Sequence, residues 1–486
     1  MKYQNKVQLI TYVDRLSGGT VQQLHQMLKE CFPNVFGGIH LLPFYNPIDG
    51  EDAGFDPIDH TSVDARLGNW DDVQALGQDF DLMADMIVNH MSAQSIPFQD
   101  VLAKGKDSTY WDLFLTKQKV FGDKPHPDDI ANIFRPRPTS PFTKMTLGDG
   151  SEADFWTTFT PNQIDIDVDS EQGKAYLDAI LTTFSRNNIK LIRLDAAGYA
   201  IKQAGTNCFM MPQTFAFIEA LSSRAEALGM TCLVEIHSYY KIQCEIAKRC
   251  SLVYDFALPP LVLHAMNTKD LAPLATWLEM SPRNCVTVLD THDGIGIVDV
   301  GANGDEPGLL TPEQIDTLVE SIHDQCAGES RAATGSAANN VDLYQVNCTY
   351  YSALGCDDYR YLLSRAIQFF CPGIPQVYYT GLLALPNDMD LLAKSQVGRD
   401  INRSYLDLAK VQQHAQKSVV QALLKLIQKR NQNDAFSGEF SQVMTDHRYS
   451  MLWANGTQVA RLDIDLATLN AHVAFDSEVI ELRSWL

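Results

Sequence analysis

Polar residues follow four apolar, strand-like runs of the chain, at positions where a protein core would exclude them. They are Asn89 and His90 after the third run, Asp195 after the fourth, Glu235 after the fifth, and His292 and Asp293 after the seventh. Any one of them alone would more often be a structural ion pair or a helix cap. Four such groups at equivalent strand ends indicate an active site instead.

Two of these carboxyl groups have the surroundings that glycosidic bond cleavage requires. Arg193 and Asp195 are two residues apart on one run, so their side chains share a face of the strand. A neighbouring guanidinium lowers a carboxyl pKa and keeps the group ionised, which suits a nucleophile. Glu235 has only His237 as a nearby cation in sequence and could therefore keep a proton and act as general acid. Retaining glycosidases use such a pair about 5 Å apart, and Asp293 could stabilise the positive charge of the transition state.

The elements that position these groups alternate regularly along the chain. Amphipathic stretches such as 20–32 and 170–184 lie between short apolar runs, and this alternation predicts an α/β protein with a parallel sheet. The eight runs are 7–12, 38–42, 81–88, 190–194, 231–234, 252–256, 286–289 and 376–379. Eight strand–helix units predict a (β/α)8 TIM barrel, whose active site forms at the carboxyl ends of the strands.

Two connections are too long to be simple barrel loops. About a hundred residues, rich in Pro and Gly, follow the third strand, and about 60 follow Asp293. After Phe436 the pattern changes to short alternating runs, which predicts a small C-terminal β-domain. The predicted division is barrel at 1–88, 170–294 and 356–435, insertions at 89–169 and 295–355, and the β-domain at 436–486.

Composition excludes several other classes of function. The net charge of −22 disfavours nucleic acid binding, and we find no apolar run of about 18 residues that would indicate a membrane span. The start of the chain lacks a secretion signal, and the ten cysteines are scattered without a C-x-x-C pair, so we expect reduced thiols and a cytoplasmic protein. Neither a phosphate-binding glycine loop nor a metal cluster is evident, so no cofactor and no metal are expected.

The order and spacing of the strand-end residues resemble the four signature regions of the α-amylase-type glycoside hydrolase family. The matching regions are Asp85-x-x-x-Asn89-His90, Arg193-x-Asp195, Glu235 and His292-Asp293. By this resemblance Asp195 would be the nucleophile, Glu235 the general acid and base, and Asp293 the transition-state stabiliser. His90, Arg193 and His292 would hold the glucosyl ring.

Within that family the chain is similar to the sucrose phosphorylase group, from Met1 to about Phe436. The stretches that carry this similarity are 6–12, 53–60, 135–138, 342–347 and 398–403. The resemblance implies that Asp52 and Arg399 grip the glucose hydroxyls and that Phe55 and Phe159 contact the ring. It places on the acceptor side Arg137, His237, Asp342, Leu343, Tyr344 and Gln345.

The implied substrates are sucrose and inorganic phosphate, and the products are α-D-glucose 1-phosphate and fructose. A phosphate dianion would be repelled by Asp342, and in the resembling enzymes that carboxylate swings out while Arg137 and Tyr344 swing in. Arginine offers the bidentate donors that phosphate prefers. The state of assembly is left open between a monomer and a homodimer.

Three alternatives remain open at this point. Related phosphorylases act on sucrose 6-phosphate, glucosylglycerol or glucosylglycerate, although Tyr344 and the Arg135-Pro136-Arg137-Pro138 run favour plain sucrose. A hydrolase or transglucosidase of the same fold would use water or a sugar as acceptor. A non-catalytic sugar-binding barrel is disfavoured, because such proteins tend to lose the carboxylates that this chain keeps.

Overall fold

Eight parallel strands close into a barrel at the centre of the protein. This computed structural model describes residues 3–136, 139–334 and 345–486. The barrel strands, called first to eighth in chain order, are Gln8–Thr11, Gly38–Leu41, Asp81–Ile87, Leu191–Asp195, Thr231–Val234, Leu252–Asp255, Cys285–Thr287 and Ile374–Tyr378. Each strand pairs with its neighbours in chain order, and the eighth closes on the first, with Gln376 opposite Gln8. The predicted (β/α)8 barrel is confirmed.

Amphipathic helices connect the barrel strands. In the helix Val21–Cys31, the buried residues Val21, Leu24 and Leu28 recur at the spacing of one helical face. Its start is fixed because the Thr20 hydroxyl accepts from the Gln23 N–H at 3.3 Å and the Gln23 side chain accepts from the Thr20 N–H at 2.9 Å. The helices of the barrel are Val13–Ser17, Val21–Cys31, Trp70–Leu76, Glu171–Arg186, Pro212–Ala227, Tyr240–Ala247, Leu258–Thr268, Ala272–Met280, Asp358–Phe370, Tyr379–Leu382, Met389–Ser395, Leu408–Ala415 and Ser418–Gln432.

The segment between the third barrel strand and its helix forms the first predicted insertion. It contains the helices Ile96–Lys104, Lys117–Phe121 and Pro127–Ala131, with the strand pairs His90–Ser92 with Gln163–Asp165 and Phe142–Thr146 with Glu152–Trp156. The buried ammonium of Lys202, in the loop after the fourth strand, lies 2.7 Å from both Asn89 Oδ1 and Asp165 Oδ2. This ion pair fastens the insertion to the barrel.

The second insertion follows the seventh barrel strand. Its described part contains the strand pair Ile295–Gly296 with Gln345–Val346 and the helices Pro312–Gln325, Glu329–Thr334 and Tyr350–Ala353. The loop after the second strand is also elaborated, with Tyr45–Asn46 paired to Asp59–Val63, a feature that the sequence did not predict.

The chain ends in the predicted β-domain, a sheet of five antiparallel strands. They are Glu439–Met444, Arg448–Asn455, Gln458–Asp465, Ala471–Phe475 and Glu478–Glu481. The indole of Trp453 donates to the Phe370 carbonyl at 2.7 Å and so ties this sheet to a barrel helix. The residue boundaries predicted for the domains remain a prediction.

A helix within residues 3–136, 139–334 or 345–486 would have to be long and largely apolar to cross a bilayer. Among these residues, no helix combines the length and the apolar character that a membrane span needs.

Candidate active site

A cavity of about 390 Å³ opens at the carboxyl ends of the barrel strands. Its size is in the range of small-molecule sites. Eleven of the residues predicted for the site line it: Asp52, Phe55, His90, Phe159, Asp195, Glu235, His237, His292, Asp293, Gln345 and Arg399. Residues far apart in sequence therefore converge where the barrel fold predicts.

Arg193 lies at the base of this cavity and is itself only 3% exposed. Its register opposite Asp85 of the third strand allows the Arg193 Nη1 to donate to Asp85 Oδ1 at 2.6 Å. The same nitrogen donates to Asp195 Oδ1 at 2.8 Å, and Arg193 Nη2 lies 3.8 Å from Glu235 Oε1. One guanidinium thus connects the two carboxyl groups that the sequence paired.

Asp85 is the buried anion that holds Arg193 in place. Burial opposes its charge, but His40 at 3.0 Å and Arg193 lower the pKa of Asp85 to about 2. The Tyr45 hydroxyl donates to the Asp85 carbonyl at 2.7 Å and fixes the backbone there. Arg193 is therefore held by a permanent charge beneath the cavity.

The pKa of Asp195 is set by more than the neighbouring arginine. Burial raises the pKa of Asp195 well above its usual value, Arg193 lowers it, and the charge of Glu235 raises it further. Of these three effects, only that of Arg193 can be predicted from the sequence, because burial and the approach of Glu235 depend on the fold. The arginine therefore only partly offsets the effect of burial and of the Glu235 charge on Asp195.

Asp293 has the opposite electrostatic environment. Burial alone would raise its pKa, but Arg399, His292 and Arg403 hold the pKa of Asp293 well below its usual range. Arg399 Nη1 lies 2.9 Å from Asp293 Oδ1 and 3.2 Å from both carboxylate oxygens of Asp52. Asp293 therefore stays ionised at all physiological pH values, and Arg399 links it to Asp52 at the same end of the cavity.

Aromatic and imidazole rings form the walls of this end. The ring of Phe55 stacks on His292, with centroids 4.7 Å apart and an interplanar angle of 9°. Burial lowers the pKa of His292 to about 3, so its ring is neutral. His90 Nε2 lies 2.9 Å from the Phe55 carbonyl, and the ring of Phe159 meets His90 edge-on at 5.3 Å. The faces of these rings are apolar and the imidazole nitrogens at their edges are polar, a combination that suits the binding of a sugar ring.

Two described residues of the predicted acceptor side, His237 and Gln345, lie next to each other in the cavity lining. Gln345 Nε2 lies 3.4 Å from His237 Nε2, and the Gln345 carbonyl oxygen lies 3.5 Å from Arg399 Nη2. The other four predicted acceptor residues, Arg137, Asp342, Leu343 and Tyr344, lie outside the described residues.

Two positions in the cavity carry backbone that non-glycine residues seldom adopt. Ala196, directly after Asp195, has φ of 54°, and Asp52 has φ of 51°. Such strain collects where the surrounding structure fixes a functional group. At both positions it turns the chain sharply beside a cavity-lining carboxylate.

Several residues of the site had no predicted role. Gln163, Tyr199 and Phe209 line the cavity, while Arg403 and Asp299 support it from behind. All five lie outside the barrel strands, so the apolar periodicity that locates a strand could not show where their side chains lie. Arg403 stands in one of the stretches that carried the resemblance, which is the signal that could have identified it.

Glu235, His237 and Asp293 place possible ligand atoms within 4.8 Å of one another, which could suggest a metal site. Asp293 is already paired with Arg399 at 2.9 Å, and this guanidinium would compete with a metal ion for the carboxylate. The Nδ1 atom of His237 is bound by Asp299 at 2.8 Å, which fixes the orientation of the ring.

Comparison with known proteins agrees with this geometry. Residues 33–239 match the family described as alpha amylase, catalytic domain. A sucrose phosphorylase from Agrobacterium vitis is 55% identical over 479 residues, covering 97% of this chain and 98% of that protein. A sucrose phosphorylase from Bifidobacterium adolescentis is 51% identical over 465 residues, covering 95% and 92%.

A solved structure extends the similarity to the whole fold. The crystal structure of sucrose 6F-phosphate phosphorylase from Thermoanaerobacter thermosaccharolyticum has a TM-score of 0.90 at 39% identity, covering 99% of this chain and 98% of that one. With the barrel, its two insertions, the C-terminal sheet and the cavity in place, the chain belongs to the α-amylase family, in the branch that contains the sucrose phosphorylases.

Proposed function

We propose that the protein is a sucrose phosphorylase that transfers the glucosyl group of sucrose to inorganic phosphate with retention of configuration. The observation that carries this proposal is the pair Asp195 and Glu235, joined through Arg193, in a chain 55% identical to a sucrose phosphorylase along nearly its whole length. The products are α-D-glucose 1-phosphate and fructose.

In the first half of the reaction Asp195 acts as the nucleophile and Glu235 as the proton donor. Arg193 donates to Asp195 at 2.8 Å but lies 3.8 Å from Glu235, so the negative charge is better stabilised on Asp195 and the proton on Glu235. Asp195 attacks the anomeric carbon while Glu235 gives its proton to the departing oxygen of fructose. A glucosyl ester of Asp195 results.

The second half returns the proton to Glu235. An oxygen of hydrogen phosphate attacks the anomeric carbon, the bond to Asp195 breaks, and Glu235 takes the phosphate proton. Arg137 and Tyr344 bind the phosphate in this proposal, and Asp342 withdraws from it. Two inversions at one carbon give net retention.

The opposite end of the cavity holds the glucosyl ring. Asp52 and Arg399 bind its hydroxyl groups, and Asp293 stabilises the positive charge that develops at the anomeric centre. Support for this division comes from the charges already paired there: Arg399 bridges Asp52 and Asp293 and orients both carboxylates before substrate arrives. A preorganised end of this kind selects glucose without choosing the acceptor.

The test is an assay of the purified protein with sucrose and inorganic phosphate. We expect equal amounts of α-D-glucose 1-phosphate and fructose, and slow release of free glucose when phosphate is omitted. Parallel reactions with sucrose 6-phosphate, glucosylglycerol and glucosylglycerate distinguish the related phosphorylases. Free glucose at the same rate with and without phosphate would indicate a hydrolase instead, and no product from sucrose would contradict the proposal.

We further propose that the enzyme works in the cytoplasm, as a monomer or homodimer. The ten cysteines support this location, because each is free and six are buried. Cell fractionation tests the location, and light scattering of the purified protein tests the state of assembly.

A further inference from the structure

His237, on the acceptor side of the cavity, is held from behind by a carboxylate of the second insertion. Its Nδ1 atom lies 2.8 Å from Asp299 Oδ2, and both side chains are almost completely buried. The imidazole also stacks on the ring of Phe256, with centroids 3.8 Å apart. Its plane and its position are therefore fixed before any ligand binds.

Both carboxylate oxygens of Asp299 make hydrogen bonds. Its second oxygen accepts from the Ser238 N–H at 3.1 Å and from Gln243 Nε2 at 2.6 Å. Gly296 passes so close that a Cβ atom there would lie 2.5 Å from Asp299 Oδ2 and 2.9 Å from His237 Nδ1. The local chain is thus built around this carboxylate and imidazole, and only glycine fits beside them.

The contact with Asp299 also decides which ring nitrogen of His237 carries a proton. A carboxylate only accepts hydrogen bonds, so the Nδ1 atom must be the donor. The Nε2 atom then faces the side chain of Gln345, whose Nε2 atom is 3.4 Å away and which lines the cavity. When the ring takes up a second proton, Nε2 becomes a donor directed at the acceptor side.

We propose that Asp299 is a positioning residue for phosphate, holding His237 so that its Nε2 side can donate a hydrogen bond to the acceptor anion. The idea rests on the proposed phosphorylase function. No covalent bond changes at this residue: His237 takes one proton from solvent and presents it to a phosphate oxygen. The buried charge of Asp299 compensates the imidazolium that forms, as the aspartate does in a Ser-His-Asp triad.

The charges around His237 support this assignment. Burial alone would lower the pKa of His237, but the neighbouring charges of Asp299, Glu235 and Asp293 raise it. Among the residues that the structure describes, Phe256 and Gln345 also contact the ring, and both are uncharged. An imidazolium facing Glu235 would also attract the dianion that the carboxylates alone repel.

The variant Asp299→Asn tests the proposal because it keeps the shape but changes the hydrogen bonding. The Asn oxygen must still accept from Ser238 and Gln243, which leaves its NH2 group facing His237 Nδ1 and forces the proton onto Nε2. The ring then still presents an Nε2–H to the acceptor side, but it is a neutral donor without the positive charge of the imidazolium. Because a charged donor binds phosphate more strongly than a neutral one, we expect the KM for phosphate to rise about 10-fold, a larger change than in the kcat of phosphate-free sucrose hydrolysis.

The pH profile separates positioning from a merely structural role. Without the Asp299 charge the pKa of His237 falls, so phosphate binding should weaken at a lower pH than in the wild type. The matched control is Glu245→Gln, which removes an exposed carboxylate from the helix that also carries Gln243; its KM for phosphate should be unchanged. His237→Gln should raise the KM similarly, and adding Asp299→Asn to it should have little further effect.

The outcomes distinguish this inference from the proposed function. If the wild type makes no glucose 1-phosphate, the function itself fails. If it does, but Asp299→Asn leaves the KM for phosphate unchanged, or lowers hydrolysis and phosphorolysis equally without moving the pH profile, the positioning role is overturned. Should Asp299→Asn not fold, Gln243→Leu removes one hydrogen bond to Asp299 and should shift the KM for phosphate in the same direction by a smaller factor.

Discussion

The two sides of the cavity are built from different kinds of chain. Asp195 ends the fourth barrel strand, and Arg193 beneath it is held by Asp85 of the third strand at 2.6 Å. On the acceptor side, His237 and Gln345 depend on the second insertion and its flanks for their positions. The nucleophile and the arginine beneath it belong to the barrel sheet, whereas the acceptor side is made of segments laid over it.

This difference matches what each side must do in the proposed reaction. The glucosyl group stays in place through both steps, so its binding gains from a nucleophile on a rigid strand and from loop residues that are fixed by ion pairs, such as Asp52 with Arg399. The acceptor changes from fructose to phosphate, so residues on long loops are the ones able to serve both. The comparison predicts that barrel substitutions affect all reactions alike and that acceptor-side substitutions separate them.

The largest expected effect is at the carboxyl pair. Asp195→Asn removes the nucleophile and Glu235→Gln removes the proton donor, so either should lower sucrose turnover by about 10³-fold or more, with or without phosphate. Steady-state assays and thermal unfolding together show that activity is lost while the fold is kept. The control is Glu245→Gln, an exposed carboxylate in the helix after the fifth strand, which should retain activity. Near-normal turnover in either active-site variant would show that the substituted residue does not have the proposed role.

A smaller, uniform loss is expected at the glucose end. Arg399→Ala removes the cation that Asp52 and Asp293 share, so transition-state stabilisation weakens and both hydrolysis and phosphorolysis should fall by about 10²-fold. Since Arg399 lowers the pKa of Asp293, its loss raises that pKa, and activity should disappear at a higher pH on the acid side than in the wild type. Initial rates across a pH series check both points.

The exposed Arg249, which lies 3.8 Å from Glu219 on the helix after the fourth strand, provides the matched arginine control for that experiment. Arg249→Ala should leave rates and pH profile unchanged. If Arg399→Ala instead weakened only phosphate use, Arg399 would belong to the acceptor side and the division of the cavity would be wrong.

A selective loss is expected at Arg137. Arg137→Ala removes a bidentate phosphate donor, so the KM for phosphate should rise by about 10-fold to 100-fold while sucrose hydrolysis stays within a few-fold of wild type. Initial rates at varied phosphate, with hydrolysis measured separately, give this ratio. Arg135→Ala, two residues away and exposed, is the control for general loss of charge. Equal losses in both reactions for Arg137→Ala would show that it is not a phosphate ligand.

The same division explains which features could be predicted from sequence. All eight barrel strands were found because each is a short apolar run, and the polar groups at their ends could be placed together by the geometry of a barrel. The pairing of Arg193 with Asp195 followed from the two-residue period of a strand. Where local periodicity determines position, the sequence was sufficient.

Contacts made by loop residues could not be predicted from the sequence in this way. Asp299 supports His237 across 62 positions of chain, and Lys202 binds Asp165 and Asn89 across the first insertion. Neither contact has a period or a motif, since both depend on how a long loop folds back over the barrel. The same is true of the raised pKa of Asp195, which results mainly from burial and so requires the three-dimensional structure.

The mildest test concerns a strand-end carboxylate that does not reach the cavity. Asp255 ends the sixth strand and accepts from the Trp277 indole at 2.9 Å and from the Leu258 N–H at 3.1 Å. Burial raises its pKa to about 7, so the folded state disfavours its charge. The unfolded chain ionises from about pH 4, so this group lowers stability progressively as the pH rises from about 4 to 7.

Asp255→Asn keeps an acceptor for both donors and removes the charge. We therefore expect a higher Tm than wild type at pH 8, a gap that closes towards pH 4, and unchanged sucrose turnover. Each pH unit by which the pKa of Asp255 in the folded protein exceeds that in the unfolded chain corresponds to about 1.4 kcal/mol, so the gain in stability at pH 8 is at most a few kcal/mol. Calorimetry at both pH values measures it. A lower Tm at pH 8 would mean that Trp277 and Leu258 need a charged partner. The expected higher Tm would show that this strand-end carboxylate, which has no catalytic role, destabilises the folded barrel.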